Sequence, residues 1–414
     1  MFKIFKFGGA SIKDVKNIQN TASIINKYSS ESVVIVFSAM GKVTNMLETV
    51  VEAFISVNEN AIERLEIVRR FHYSILNELF DDKNNIYNEV DNIFTEVEWV
   101  LEENQINTYS YYYDQIVSVG ELLSTKIMSA YLEQLGIIHN WIDARDIIRT
   151  NNTYRNAKVD WEKTSKLICN KIREGIYVTQ GFVGSTSENY TTTLGREGSD
   201  FTSAILAFSL SAKEVVIWKD VPGMMSADPK KSSSAVLFNQ ISFDEAIELA
   251  FFGAKVIHPK TIQPLKAKNI SLRIRSFLEL DNKGTKISEG VLTEPKVPSY
   301  IIKANQVLIS ISDTKLSFIV ENHISQIFYL LDKHLISVNM MQNSAISFSI
   351  CIDNDKQKIP FLINDLRKQF KVYYNDNLSL YTIRHYRVNS INKLLKGRTV
   401  MLEQRSRNTM QIVA

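Results

Sequence analysis

The segment SVVIVFSAMG (residues 32–41) is a nearly continuous apolar run that ends in small residues. A strand that is apolar at successive positions is typical of a parallel sheet covered by helices on both faces. Comparable runs follow at IYVTQGFVG (176–184), EVVIWKDV (214–221) and ISLRIRSF (270–277), and segments of helical length separate them. The pattern predicts an α/β fold in which a largely parallel sheet lies between layers of helices.

Residues 46–115 interrupt this alternation. They contain no glycine or proline, many Glu and Asn residues, and apolar residues at helical spacing. This composition predicts a long helical excursion from the α/β fold. Two interpretations stay open at this point: a cap or dimer-facing element, and a plain surface hairpin of helices.

The last third of the chain follows a different pattern. Residues 281–300 collect Gly, Pro and charged residues, which is typical of a linker. Beyond them the predicted order is β-α-β-β-α-β, and then a tail of three short strands with a short helix between them, beginning at SLYTIRHY (379–386). The sequence therefore predicts a first domain over residues 1–285, a linker over 286–300 and a separate α+β module over 301–414.

The charge balance excludes some classes of partner. The 414-residue chain has 48 Lys and Arg residues against 45 Asp and Glu residues, a net charge of +3. So small an excess gives no electrostatic reason to expect nucleic acid or a membrane as a partner. The longest apolar run is too short to span a bilayer. Two cysteines allow neither a disulfide framework nor a CxxC metal site. We therefore expect a cytoplasmic protein with no metal-binding side chains.

The turn KFGGAS (6–11) lies between the first predicted strand and a helix. Its adjacent glycines, Gly8 and Gly9, allow backbone N–H groups to approach phosphate oxygens. Lys6 adds a mobile positive charge at the same place. The motif indicates an anion site, although a purely structural turn explains it equally well when it is taken alone.

Two further motifs place polar side chains at element ends. Ser38 and Thr44, in FSAMGKVTN (37–45), follow a buried strand, where ligands bind in parallel sheets. Taken singly, each hydroxyl is better explained by a turn and a helix N-cap. Glu121, in SVGELLST (118–125), lies at a helix start. It either complements the helix dipole, the favoured interpretation in isolation, or binds an ammonium group.

The segment TTTLGREGSDFTSA (191–204) places charged and hydroxyl residues between and after two glycines, directly before an Ala-rich helix. Arg196 can bind a carboxylate through two parallel hydrogen bonds. Ser199 and Asp200 lie where the helix begins, which is a common anion-binding position. A surface loop also uses Gly, Ser and Asp, so other parts of the chain must decide between the two interpretations.

Two downstream segments suit a nucleotide site. WKDVPGMMSADPK (218–230) and FFGAKVIHPK (251–260) supply aspartates that form turns or contact a nucleotide, and lysines that neutralise phosphates. No Walker loop and no protein-kinase catalytic motif occurs in the sequence. Any nucleotide chemistry must therefore use a different phosphate-binding design.

Taken together, the motifs resemble those of aspartate kinases. KFGGAS, FSAMGKVTN, SVGELLS, GFVGS, TTTLGREGSDFTSA, IWKDVPGMMSADP and ELAFFGAKVIHP occur in that family's order and span residues 2–277. The C-terminal module resembles the family's paired ACT regulatory domains. The resemblance implies the amino acid kinase fold with an ACT-like α+β module. Glu197 departs from the family, which has a glycine at this position.

The resemblance implies transfer of the γ-phosphoryl group of ATP, with Mg²⁺, to the side-chain carboxylate of L-aspartate. The product would be 4-phospho-L-aspartate, at the first step of lysine, threonine and methionine biosynthesis. Carried over by position, the catalytic residues would be Lys6, Gly8, Gly9 and Asp200. The residues around aspartate would be Ser38, Thr44, Glu121, Phe182, Arg196 and Ser199. Those along ATP would be Lys219, Asp220, Met225, Lys230 and Lys255.

The same resemblance implies a homodimer or higher homo-oligomer, and lysine or threonine as a feedback effector. Regulation by an effector and ACT-mediated dimerisation without one are equally compatible with the sequence. Two other functions stay open. One is a kinase of the same fold that acts on glutamate, N-acetylglutamate or UMP. The other is a ligand sensor whose kinase domain has lost activity.

Overall fold

The structure, a computed structural model, describes residues 1–56, 60–254, 257–314, 317–387 and 397–414. The chain forms two compact units. The first consists of Met1–Met224, Leu237–Ile247 and Val256–Pro295, and the second of Met225–Val236, Glu248–Lys255 and Lys296–Ala414. In the described part of the chain, no helix is both long and apolar enough to cross a membrane.

In the described residues, the first unit has ten strands. They are β1 (Lys3–Phe7), β2 (Val33–Phe37), β3 (Asn140–Ile142), β4 (Ile176–Gln180), β5 (Val183–Ser185), β6 (Thr191–Thr193), β7 (Glu214–Lys219), β8 (Gln240–Ser242), β9 (Ser271–Ser276) and β10 (Thr285–Ser288). Eight of them form one sheet in the order β3-β4-β2-β1-β7-β9-β10-β8. Its pairs are parallel except β9–β10. The prediction of a largely parallel sheet is confirmed.

Eleven helices accompany these strands in the described residues. They are α1 (Val15–Asn26), α2 (Val43–Ser56), α3 (Ala61–Leu79), α4 (Ile86–Glu102), α5 (Tyr109–Val117), α6 (Val119–Gln134), α7 (Ala144–Ile147), α8 (Trp161–Lys171), α9 (Gly198–Leu210), α10 (Phe243–Phe251) and α11 (Pro259–Ala267). A 3₁₀ turn at Gly9–Ile12 precedes α1. The glycine turn therefore leads into the first helix, as the sequence predicted.

The central strands are buried on both faces, which explains their continuous apolar sequence. Every residue of β2 and β4 is buried. Phe7 on β1 stacks between two neighbouring strands, with ring centroids 5.6 Å from Phe37 and 5.7 Å from Trp218. Burial of such a side chain contributes about 2 kcal/mol relative to leaving it exposed. The three rings thus fix the register of the strands whose ends carry the site.

The helical excursion folds into the main core. It comprises four helices, α2 to α5, and buried residues from each of them belong to the same apolar cluster as β1 and β2. Leu65, Leu76 and Phe94 have no exposed surface. The interpretation as a plain surface hairpin is therefore wrong. The apolar residues at helical spacing pack among α1 to α6, in an apolar cluster that is continuous with the sheet, and do not form a separate surface element.

His72 on α3 is a fully buried imidazole in this core. Its Nδ1 lies 2.8 Å from the carbonyl oxygen of Val68, and its Nε2 has no partner within the described residues. Burial lowers the pKa of His72 from 6.5 to about 4, and the contact with Val68 offsets this only in part. The folded protein therefore holds His72 neutral at pH 7.

We predict that His72 makes the fold less stable in acid. The unfolded chain binds a proton at His72 near its ordinary pKa of 6.5, whereas the folded chain binds it only near pH 4. The resulting loss of unfolding free energy between pH 7 and pH 5 is about 2 kcal/mol. The unfolding free energy is measured by urea denaturation at both pH values. Its decrease from pH 7 to pH 5 should be smaller by about 2 kcal/mol in His72→Leu than in the parent protein. Equal pH dependence in both proteins would contradict the prediction.

The second unit is built around an antiparallel sheet. Its strands are β11 (Ser299–Asp313), β12 (Val338–Asn343), β13 (Ser347–Asp353), β14 (Phe370–Arg384), β15 (Leu402–Arg405) and β16 (Thr409–Val413), in the order β12-β13-β11-β14-β16-β15. Two helices, α12 (Glu321–Lys333) and α13 (Ile359–Arg367), share an apolar core with β11, β13 and β14. The predicted order β-α-β-β-α-β is present.

One detail of the tail is different from the prediction. SLYTIRHY was expected to begin a new strand, but residues 379–384 continue β14. The chain changes register against β11 near Asn377, which has a left-handed φ of 55°, and hydrogen bonding resumes at Leu378. Because β11 is itself 15 residues long, it pairs with both halves of β14. The predicted short helix of the tail falls mainly on residues 388–396, outside the described part of the chain.

Candidate active site

A cavity of about 490 Å³ opens at the carboxyl edge of the parallel sheet in the first unit. Lys6 is the penultimate residue of β1, Ser38 follows β2, and Lys219 ends β7, so three adjacent strands place side chains in its wall. This is where parallel sheets place their ligands. The walls are formed by Lys6, Ser38, Thr44, Tyr113, Glu121, Arg155, Phe182, Gly195, Arg196, Glu197, Gly198, Ser199, Asp200 and Lys219.

Asp200 lies between two lysines on the wall of this cavity. Lys6 Nζ is 2.7 Å from Asp200 Oδ1, and Lys219 Nζ is 3.6 Å from Oδ2. Burial opposes ionisation of Asp200, but the ammonium groups of Lys6 and Lys219 outweigh it and hold the pKa of Asp200 below its ordinary value. Asp200 also occupies the first turn of α9, where the helix dipole favours a negative charge. The carboxylate thus positions two cations.

Gly9 allows two loops to approach each other closely. A Cβ atom at Gly9 would lie 2.6 Å from the carbonyl oxygen of Ala39 and 2.8 Å from that of Gly41. Such contacts with backbone atoms cannot be relieved by moving a side chain. The Gly41 amide donates a 3.0 Å hydrogen bond to the Gly9 carbonyl oxygen, which joins the loops after β1 and β2. Gly8, whose Cβ would lie 3.5 Å from Lys6 Nζ, leaves space beside the lysine.

Glu121 presents a buried carboxylate to the cavity. Its side chain lies in the first turn of α6, and its Oε2 has no hydrogen-bond partner within the described residues. Burial raises the pKa of Glu121 from 4.5 to about 8, and hydrogen bonds from the backbone of Ala39 and of Glu121 itself, with the charge of Lys6, offset this only in part. A ligand cation at Oε2 would stabilise the ionised form. This geometry favours the ammonium interpretation of Glu121 over the dipole interpretation.

The loop after β4 and the start of α9 are in close contact. A Cβ atom at Gly181 would lie 2.4 Å from the Cβ of Ser199, so only glycine fits there. Phe182 adopts a left-handed φ of 69°, and its amide donates to Thr202 Oγ1 at 3.0 Å. Arg196 is exposed on the turn between Gly195 and Gly198. The structure therefore brings Phe182, Arg196 and Ser199 to the cavity with Ser38, Thr44 and Glu121, as the sequence predicted for one pocket.

Two wall residues were missed by sequence reasoning. Tyr113 belongs to YSYYYD (109–114), which the sequence placed within the helical excursion, and Arg155 lies in a loop without a recognised motif. The structure stacks them, with the Arg155 guanidinium 4.4 Å from the centroid of the Tyr113 ring. The cluster of tyrosines at residues 109–113 was the one sequence feature that could have indicated a site here. Its contact with Arg155, about 40 residues later in the chain, could be found only from the structure.

Three predicted nucleotide residues, Asp220, Met225 and Lys230, do not line this cavity. Asp220 is exposed directly after β7. Met225 and Lys230 belong to the second compact unit, where Met225 is half-buried and Lys230 is exposed. Lys255 lies outside the described residues. Their roles stay predictions.

The structure also bears on metal binding. Among the described residues there is no cluster of three or more His, Cys, Asp or Glu side chains that could hold a metal ion. Mg²⁺ does not need such a cluster, because it keeps several waters and is bound by substrate phosphates with one or two carboxylates. The site is thus compatible with a Mg²⁺ ion that arrives with a nucleotide.

Comparison with known proteins identifies the family. The sequence pattern of the amino acid kinase family matches residues 1–276. Lysine-sensitive aspartokinase 3 of Escherichia coli is 31% identical over 354 residues, which cover 84% of this chain and 78% of that protein. The chain belongs to the amino acid kinase family and, within it, to the aspartokinases. The order of motifs along the first 277 residues is therefore a true family resemblance.

Solved aspartokinase structures share the fold along the whole chain. Aspartokinase III of E. coli in complex with lysine and aspartate, in its T-state, has a TM-score of 0.84 and 27% identity, with coverage of 100% of this chain and 96% of that one. The same enzyme with aspartate and ADP, in its R-state, has a TM-score of 0.83 at the same identity and coverage. The α/β unit and the antiparallel C-terminal sheet are thus both aspartokinase features.

Glu197 is an unusual residue for its position. It has a left-handed φ of 52° directly before α9, a conformation that favours glycine. Its Oε2 is buried at the cavity wall without a hydrogen-bond partner in the described part of the chain. Both the backbone conformation and the unpaired oxygen reduce stability. The departure from the family's glycine therefore has a structural cost.

We predict that Glu197→Gly stabilises the fold by about 1 kcal/mol, because relief of the left-handed conformation and of the unpaired oxygen exceeds the added entropy of the unfolded chain. The measurement is the free energy of unfolding in urea. Glu197→Gln, which keeps the backbone conformation and removes the charge, is the matched control and should gain less. A Gly variant that is no more stable than the parent would contradict the account.

Proposed function

We propose that the chain transfers the γ-phosphoryl group of ATP to the side-chain carboxylate of L-aspartate, giving 4-phospho-L-aspartate at the first step of lysine, threonine and methionine biosynthesis. One observation carries the proposal. A single cavity combines a buried carboxylate with a free oxygen, Glu121, with the Lys6–Asp200–Lys219 cluster. The aspartate- and ADP-bound structure of the E. coli relative supports it.

In this proposal Glu121 binds the substrate ammonium group and Arg196 binds its α-carboxylate. Each pairing unites opposite charges, and the arginine fork matches a carboxylate through two hydrogen bonds. Burial disfavours the ionised carboxylate of Glu121, and the positive charge of the substrate ammonium group stabilises it. Binding therefore lowers the pKa of Glu121 from its value of about 8. Ser38, Thr44, Phe182 and Ser199 complete the walls around the amino acid.

The chemistry is a displacement at phosphorus. An oxygen of the aspartate side chain forms a bond to the γ-phosphorus while the bond to the β,γ-bridging oxygen breaks, and ADP leaves with that electron pair. The nucleophile needs no base, because an ordinary carboxylate is already ionised at neutral pH. Lys6 and Lys219 offset the negative charge of the two reactants, and Asp200 holds both lysines in place.

Mg²⁺ bound to the nucleotide phosphates would supply further charge neutralisation. The chain's own contribution is the preorganised pair of lysines, with Gly8 leaving space beside Lys6 and Gly9 letting the loop after β1 pack against the loop after β2. Contacts of Asp220, Met225, Lys230 and Lys255 with the nucleotide are part of the proposal and rest on the family resemblance. A cytoplasmic location is also part of the proposal.

The test is Mg²⁺-dependent ADP release with four acceptors: aspartate, glutamate, N-acetylglutamate and UMP. Hydroxylamine in the assay traps an acyl phosphate as a hydroxamate, which separates carboxylate phosphorylation from hydrolysis of ATP. We expect turnover and hydroxamate with aspartate alone. Turnover with another acceptor instead of aspartate would identify that acceptor as the substrate. ATP binding without any turnover would favour the sensor function.

Lys6→Ala should lower aspartate turnover by about two to four orders of magnitude, because it removes a preorganised cation from the transferring group. Lys16→Ala, which removes an exposed lysine of α1, is the matched control and should retain full activity. Lys16→Ala should unfold at the parent's temperature, whereas Lys6→Ala should unfold at a lower one, because it removes the nearer cation from the buried Asp200 carboxylate. Turnover is therefore compared at a temperature at which circular dichroism shows both variants to be folded. A Lys6→Ala enzyme with parental turnover would refute the catalytic assignment.

We further propose that L-lysine inhibits the enzyme through the second unit. The support is the lysine-sensitive E. coli relative, its lysine-bound T-state structure, and the α+β sheet shared over the whole chain. Titration of lysine and threonine, singly and together, should give inhibition by lysine at saturating aspartate. A flat response to lysine would remove the regulatory proposal and leave the catalytic one intact.

We also propose that the protein is a homodimer or a larger homo-oligomer. Light scattering on the same samples should give a molar mass of at least twice that of one chain.

A further inference from the structure

Arg155 is a cation in the cavity wall to which the proposed function gives no role. It lies on the loop before α8, far in sequence from every motif used above. Its guanidinium group is 4.4 Å from the centroid of the Tyr113 ring and 5.2 Å from that of Tyr109. Its one ion pair within the described residues is a long contact of 3.7 Å with Glu48. Most of its hydrogen-bond donors are therefore available to a ligand.

The backbone of Arg155 is held in an uncommon conformation. Its φ is 64°, in the left-handed region that an arginine rarely adopts. The buried carboxylate of Asp114 fixes it by accepting from the Arg155 amide at 3.0 and 3.1 Å. Asp114 also accepts from the amide and the hydroxyl of Thr193, at 2.8 and 2.6 Å. Strain that the surroundings hold so firmly is typical of functional sites.

The loop of Arg155 also contacts the turn that carries Arg196. A Cβ atom at Gly195 would lie 3.0 Å from the Arg155 carbonyl oxygen and 2.9 Å from Asn156 Oδ1. Glycine at 195 therefore permits a contact that brings the two loops together. Two guanidinium groups thus line one cavity, whereas both lysines of the wall face Asp200.

We propose that Arg155 is a second binding residue for the α-carboxylate of the substrate, acting together with Arg196. The inference rests on the proposed function and adds a determinant of substrate choice to it. Stacking on Tyr109 and Tyr113 orients the guanidinium plane before binding, so less side-chain entropy is lost when it meets the carboxylate. Because the α-carboxylate does not react, the contact acts equally on ground and transition states and lowers KM rather than raising kcat.

The test compares L-aspartate with its α-amide, which keeps the ammonium group and the reacting carboxylate but lacks the α-carboxylate charge. The variant is Arg155→Gly, which removes the guanidinium group at a position whose φ favours glycine, so the fold should survive. We expect KM for aspartate to rise about ten- to hundredfold with kcat nearly unchanged. For the α-amide, kcat/KM of Arg155→Gly should differ from that of the parent by less than about threefold, because this substrate has no α-carboxylate for Arg155 to bind.

Lys158→Met is the matched control: it removes an exposed cation of the same loop that does not line the cavity, and it should behave as the parent. Arg155→Lys, which keeps the charge but loses the planar fork, should fall between the parent and the Gly variant. An unchanged KM for aspartate in Arg155→Gly, or an equal loss with both substrates, would overturn the inference. Absence of aspartate turnover in the parent protein would instead overturn the proposed function.

Discussion

The contact of one buried carboxylate with two lysines determines the geometry of the cavity. Asp200 comes from the first turn of α9, Lys6 from the penultimate position of β1 and Lys219 from the end of β7. A carboxylate this deeply buried would be neutral on its own, because transfer of an unpaired charge from water is costly. The two ammonium groups keep it ionised, and it holds both of them at one sheet edge. The packing of this sheet edge and the proposed chemistry thus involve the same three side chains.

Close approach of backbones makes this arrangement possible. Gly9 contacts the loop after β2, and Gly181 contacts Ser199 at the start of α9, each at distances that exclude any side chain. The aromatic stack of Phe7, Phe37 and Trp218 joins the carboxyl ends of three adjacent strands, directly after Lys6 and directly before Ser38 and Lys219, and it helps to fix the register of these strands. The sheet therefore positions the two lysines, while the glycine-rich turns position the groups that are proposed to surround the amino acid.

Much of this could be predicted from the sequence, and the remainder has a physical explanation. Apolar runs ending in small residues indicated the parallel sheet, and the glycine motifs indicated Lys6 and Asp200, because strand ends and helix starts are local features. Arg155 and Tyr113 could not be found, since their contact joins a loop and a helix with no shared motif. The left-handed conformations of Arg155 and Glu197 could not be predicted either, because neither residue type by itself indicates a positive φ.

The measurement that tests the central claim most directly is ³¹P NMR of the protein with ATP, Mg²⁺ and L-aspartate. The account predicts that the γ-phosphate resonance of ATP decays while an acyl-phosphate resonance grows in equal amount. With succinate, which lacks the ammonium group that Glu121 is proposed to bind, no acyl phosphate should form. Decay of ATP to inorganic phosphate alone, or equal phosphorylation of succinate, would contradict the roles of the lysine pair and of Glu121.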